Sequence, residues 1–286
     1  MLLRALTLSS LVVSAVACGS SEATPTSSSA TSTGAGGQGA ASTGVGAAGG
    51  STSSSTGTGG AGGDPVTPPA VLLFTKTAGF AHSSIPDAVA ALESTGATRG
   101  WTVTTTDDAA TFTTTGLADI DVVVFLMTTG DVLDRGQQAA LETFVQSGRG
   151  WVGVHSASDT EYDWPWYGGL VGAYFAGHPS PQQANVVVEV TDHPATAHLP
   201  ATWTRFDEWY SFDDNPRDDV LVLMALDEST YDPGGLAMGD HPIAWSHAYD
   251  GGRAFYTAGG HTSESYEEPD FIAHLVGGIE WAAGAL

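Results

Sequence analysis

The chain has 286 residues, of which 32 are Asp or Glu and only 8 are Lys or Arg, giving a net charge of −24. Such a surface repels nucleic acid and anionic lipid and disfavours phosphate-rich substrates, whereas neutral sugars and cations are compatible partners. A single cysteine, Cys18, excludes disulfides and a catalytic or zinc-binding thiol from the folded part.

Residues 1–18 read as an export leader: Arg4, an apolar run from Ala5 to Val13, then small residues up to Cys18. The uncharged run is too short to span a bilayer as a mature helix. Ala15-Val16-Ala17-Cys18 resembles the lipobox of bacterial lipoproteins, which implies cleavage before Cys18, lipidation of its thiol and an exported, lipid-anchored protein. Without Asp at position 19, the resemblance implies the outer membrane. Residues 19–69 are mostly Ser, Thr, Gly and Ala, too poor in apolar side chains to offset the entropy of ordering, and are expected to be a flexible tether. The folded domain is expected at residues 70–286.

Ala70 to Phe74 reads as a buried strand and Ser83 to Thr95 as a helix, with Ser83 and Ser84 as N-caps and Gly96 as its stop. Trp101 to Thr105 is the next strand. Asp121 to Met127 is a continuous apolar run, the pattern of a parallel strand covered on both faces. Arg135 to Gln146 places Leu141, Phe144 and Val145 on one helical face, and Gly150 to Val154 returns as a strand. Further strands are expected at Asn185 to Val190, Val220 to Leu226, Pro242 to His247 and Arg253 to Thr257, followed by a helix from Asp270 to Ala282. The β-α-β-α-β order implies an α/β fold, a three-layer sandwich around a mostly parallel, doubly wound sheet.

Polar residues concentrate at strand exits, where such sheets bind ligands. Gly150 to Trp166 (G-W-V-G-V-H-S-A-S-D-T-E-Y-D-W-P-W) runs from a strand into a loop carrying His155, Asp159, Trp164 and Trp166. Lys76 and His82 follow the first strand, and His261 follows Arg253 to Thr257. Phe206 to Phe212 sets Asp207 and Glu208 beside Trp209 and Tyr210; the flanking aromatics are expected to draw these acids into a half-desolvated site. His155 and His261 are expected as general base and acid, with Asp207 or Glu208 orienting one of them. His155, Asp207 and His261 are also candidate ligands for a divalent metal such as zinc, on donor type alone because no H-E-x-x-H spacing is present. Lys76, His82, Asp159, Trp164, Trp166, His178, Trp209, Tyr210 and His241 are expected to bind substrate. The blander reading of His178, His193 and His241, each before a proline, is a turn residue packed on the ring.

The stretches V-L-L-F-T-K-T-A-G-F-A-H (71–82), G-V-H-S-A-S-D (153–159), W-P-W-Y-G-G-L-V-G-A-Y-F (164–175), D-E-W-Y (207–210), D-H-P-I-A-W (240–245) and G-G-R-A-F-Y-T-A-G-G-H (251–261) resemble the ThuA-like, or trehalose-utilisation, family. The resemblance covers about Ala70 to Leu286. It implies a flavodoxin-like fold of the class I glutamine amidotransferase kind and a role in the metabolism of trehalose or a related sugar or keto-sugar. In amidotransferases the strand-to-helix elbow carries a nucleophilic cysteine; here His155 stands at that place, which argues against glutaminase chemistry. Two functions follow: an enzyme using acid–base and metal-assisted chemistry on a small carbohydrate, or a non-catalytic surface lipoprotein that binds one.

Overall fold

The computed structural model describes residues 67–286. The leader, Cys18 and residues 19–66 of the expected tether lie outside the described residues.

Five parallel strands form the first half of the sheet. β1 (Ala70–Phe74) is followed by α1 (Ile85–Arg99), β2 (Thr102–Thr106), β3 (Val122–Leu126), α2 (Arg135–Gln146) and β4 (Gly150–Val154); the fifth strand is β11 (Gly252–Thr257). Their order, β2-β1-β3-β4-β11, is the flavodoxin-like 2-1-3-4-5 arrangement. Every side of β3 and β4 is buried, as continuous apolar runs require.

Parity along β4 separates the layers. Trp151 packs with Phe125 and with Tyr167 of α3 (Pro165–Val171) on one face. On the other, Gly150 lies against the backbone of Ala282, the last residue of α4 (Pro269–Ala282). Arg99 of α1 forms a two-pronged hydrogen bond to Glu280 of α4, and Trp164 donates to Glu142 of α2, so α1 with α4 and α2 with α3 make the two outer layers.

Between β4 and β11 the chain inserts an antiparallel extension: β6 (Gln182–Val188), β7 (Thr202–Asp207), β9 (Leu221–Asp227) and β10 (Pro242–Tyr249), completing the order β11-β10-β9-β6-β7. A two-stranded ribbon, β5 (Phe175–Gly177) and β8 (Ser211–Phe212), lies apart from the sheet.

Two differences from the sequence reading, one boundary and one missed strand, have identifiable reasons. Helix α1 runs past Gly96 to Arg99 and ends in a left-handed cap at Gly100, whose N–H donates to Gly96. Gly96 is a packing notch, not a stop: a Cβ there would sit 2.5 Å from Val103 Cγ2. Strand β7, absent from the reading, points Trp203, Arg205 and Asp207 inward, so charge on its buried side broke the expected alternation.

Candidate functional site

The carboxyl ends of β1, β4 and β11 each deliver a histidine to one place. His155 immediately follows β4, in the left-handed region (φ 52°), at a sharp turn from strand into a 3-10 turn. His82 leaves β1 and His261 leaves β11. The antiparallel insertion supplies the fourth member, Glu208, just beyond β7. One ligand atom from each of His82, His155, Glu208 and His261 lies within 4.8 Å of all the others.

The hydrogen bonds around this cluster fix its chemistry. His155 Nδ1 donates to the Ala258 carbonyl at 2.7 Å, which leaves Nε2 as a lone pair facing inward. That lone pair is 3.5 Å from Glu208 Oε2 and 3.3 Å from His261 Nδ1, and the last two atoms are 3.0 Å apart. Several electron-rich atoms thus converge, an arrangement that needs a proton or a cation among them. Burial opposes ionisation of Glu208, yet its contacts with the His155 and His261 imidazoles outweigh it and hold the carboxyl far below its usual range. The hydrogen bond to Glu208 raises the His261 imidazole. Burial, reinforced by the neighbouring His155 and His261 imidazoles, pushes His82 down to about 3, so it is a neutral imidazole at physiological pH. Three imidazoles and a carboxylate are a donor set suited to zinc and similar ions.

His155 is fully buried, whereas the side chains of His261 and His178 are 26 % and 39 % exposed, so the cluster reaches solvent through these two. His178 Nδ1 lies 3.1 Å from Glu208 Oε1, the oxygen turned away from His155 and His261. Behind His155, Tyr210 packs with ring centroids 4.2 Å apart, and Phe175 packs on Tyr210.

The trehalose-utilisation family, ThuA, matches this chain over residues 70–282. The chain belongs to the ThuA family. A ThuA-like protein of Bacteroides uniformis superposes with a TM-score of 0.66 at 26% identity, covering 78% of this chain and 95% of that one. One from Parabacteroides merdae gives 0.63 at 19% identity, covering 76% and 90%. A β-galactosidase of Bacillus circulans shares the fold over 76% of this chain and 31% of its own length, with a TM-score of 0.50 at 11% identity. No curated protein sequence matches the chain. The fold is therefore the glutamine amidotransferase-like α/β sandwich, with histidine at the elbow of this ThuA domain.

The ThuA site gathers His82, His155, His178, Glu208, Tyr210 and His261, and it redistributes the roles read from sequence. His82, expected to bind substrate, and Glu208, expected to act in catalysis, stand among the potential ligands. Asp207, expected as a ligand, turns away from the cluster: it accepts from the backbone N–H groups of Glu208 (2.9 Å), Gly260 (2.8 Å) and His261 (3.0 Å) and pairs with Arg205.

Several expected substrate residues lie elsewhere. Trp209 is fully buried and donates to the Gln182 carbonyl. Trp164 stacks on Trp166, which donates to Asp250 in the hairpin at the amino end of β11, opposite the histidines. Lys76 donates to the Val132 carbonyl, and buried His241 bridges Glu228 and the Tyr210 carbonyl. Asp159 accepts from Tyr162, and burial raises its carboxyl. Two contributors escaped the sequence reading. Ser84, read as a helix cap, makes no cap bond and instead donates to the His261 carbonyl. Phe80, in the motif around His82, stands exposed beside that imidazole.

Proposed function

We propose that the cluster holds a divalent transition metal such as zinc and carries out metal-assisted acid–base chemistry on a small carbohydrate, trehalose or a related sugar or keto-sugar. The observation that carries the reading is the convergence of four ligand atoms from three strand exits and the insertion. His82, His155, Glu208 and His261 would be the ligands, and a bound ion would supply Lewis-acid polarisation of a substrate oxygen. The Ala258 carbonyl keeps His155 in the tautomer that ligates through Nε2. His178, partly exposed, with Nδ1 on the Pro179 carbonyl and 3.1 Å from the outer oxygen of Glu208, is placed to exchange a proton with a substrate hydroxyl beside the cluster. Absence of any cysteine from the elbow removes the thiolate that glutamine hydrolysis uses. The leader and Cys18 support export and lipid anchoring to the outer membrane, with residues 19–69 as tether and no nucleic-acid partner.

Elemental analysis and a product assay over a panel of disaccharides and oxidised sugars test the reading together. The expected result is about one transition-metal ion per chain, with turnover lost on chelation and in His155→Ala while far-UV circular dichroism is unchanged. Full activity in metal-free protein sinks the metal. Binding without any product favours the non-catalytic lipoprotein.

A further inference from the structure

The structure points to a sugar-stacking platform that is none of the tryptophans. Trp164 and Trp209 are buried with their N–H groups bonded, and the partly buried Trp166 stacks on Trp164 at the end of the sheet opposite the histidines. Among the described residues the large exposed apolar side chains are Phe80, Tyr162, Val187, Phe206, Leu221 and Leu286. Tyr162 is already engaged, stacked on Tyr174 and donating its hydroxyl to Asp159 and Phe175. Phe206 precedes Asp207 on β7 and therefore projects from the opposite face of that strand. Phe80 alone among them packs against a member of the histidine cluster: its ring meets His82 edge-on, with centroids 4.9 Å apart, while 65 % of the residue remains exposed.

That exposure is built in. The segment before Phe80 is pinned to the loop after β3: Ala78 N–H donates to the Thr129 carbonyl at 2.7 Å, and Gly79 N–H to Thr129 Oγ1 at 3.2 Å. Thr129 Oγ1 in turn donates to the Phe80 carbonyl at 2.8 Å. Gly130, with φ 74°, lies so close that a Cβ there would sit 3.1 Å from the Gly79 nitrogen. A phenylalanine held into water by a clamped backbone, at the edge of a polar cluster, is the arrangement of a preformed recognition surface. On the Tyr210 side of the cluster, Phe175 packs against both Tyr210 and His178.

We propose that Phe80 is the specificity-determining platform of the site, stacking on the C–H face of a gluco-configured pyranose so that the ring's oxygens face the His82–His155–Glu208–His261 cluster. Equatorial ring hydroxyls leave such a face free for an aromatic ring, whereas an axial ring hydroxyl interferes. This inference rests on the carbohydrate reading of the site. Calorimetric titration of trehalose into the full chain, the Phe80→Ala variant and the Phe80→Trp variant tests it, with metal content measured for each. The expected result is a roughly tenfold weaker Kd for the Ala variant, recovery in the Trp variant and equal metal content in all three. Where turnover is measurable, the loss falls on KM and not on kcat. Wild-type affinity in Phe80→Ala overturns the platform alone. Failure of the wild-type chain to bind trehalose or any other glucoside overturns the carbohydrate reading and this inference with it.

Discussion

Asp207 shows how a side chain that touches no ligand can still set a site. Its carboxylate receives three backbone N–H groups, one from Glu208 beside it and two from Gly260 and His261 at the exit of β11, and it pairs with Arg205, which is held between Trp203 and Phe271. The distance between Glu208 and His261 is thereby fixed by one group rather than by the flexibility of two loops. In Asp207→Asn one carboxylate oxygen becomes a donor facing other donors, leaving a buried mismatch beside a guanidinium that keeps only its pairing with Glu268. The expected outcome is a loss of stability of about 2–4 kcal/mol and roughly 10–100-fold weaker metal binding, read by urea unfolding and by chelator competition. Zinc affinity equal to wild type would show that Asp207 positions nothing. From sequence Asp207 was the expected ligand of the pair, but adjacency carries no information on which carboxylate turns into the site; the register of β7 decides that.

At the scale of elements, α4 and the connection between β6 and β7 that packs on it carry an acid-sensitive packing layer. His193 and His274 both lie buried near Phe255, and the Nε2 of each has no hydrogen-bond partner among the described residues. Burial lowers His193 to about 4 and His274 to about 3, the charge of Arg205 adding to the latter. In the unfolded chain both return to about 6.5, so below that pH the unfolded state binds more protons than the folded one. The stability they provide is complete above about pH 6.5 and is lost as pH falls toward 3–4. Between pH 7 and pH 5 the expected loss is about 1–2 kcal/mol per histidine, visible as a falling urea midpoint; a midpoint independent of pH across that interval contradicts it. Elements of the fold were legible to different degrees. The helix from Asp270 to Ala282 was found within one residue because its apolar run is long, as were α2 and β4 because pattern and termini agree. The β5–β8 ribbon and β7 were not, since short strands with buried charge carry no period to detect.

Over the whole molecule, the site is a joint between two halves of one sheet. The parallel half, readable from its apolar runs, contributes His82, His155 and His261; the antiparallel insertion contributes Glu208, His178 and Tyr210. The convergence of both on the carboxyl edge was expected from strand order, but the pairing of Glu208 with His261 depends on β7 returning across the sheet beside β6, a long-range register that no local signal encodes. An ion bound by both halves ties them together, and its stabilisation follows mass action: at a free zinc concentration near a thousandfold above Kd the gain is about 4 kcal/mol. Hydrogen exchange of the zinc-loaded and chelated chain locates that gain. Protection is expected to rise at the end of β7, at residues 258–262 and around His155, while α2, which contributes no ligand, changes only as far as global stability requires. Slowing confined to the parallel half would show that Glu208 takes no part in holding the ion, and slowing spread evenly through the sheet would show that zinc binds somewhere other than at this joint.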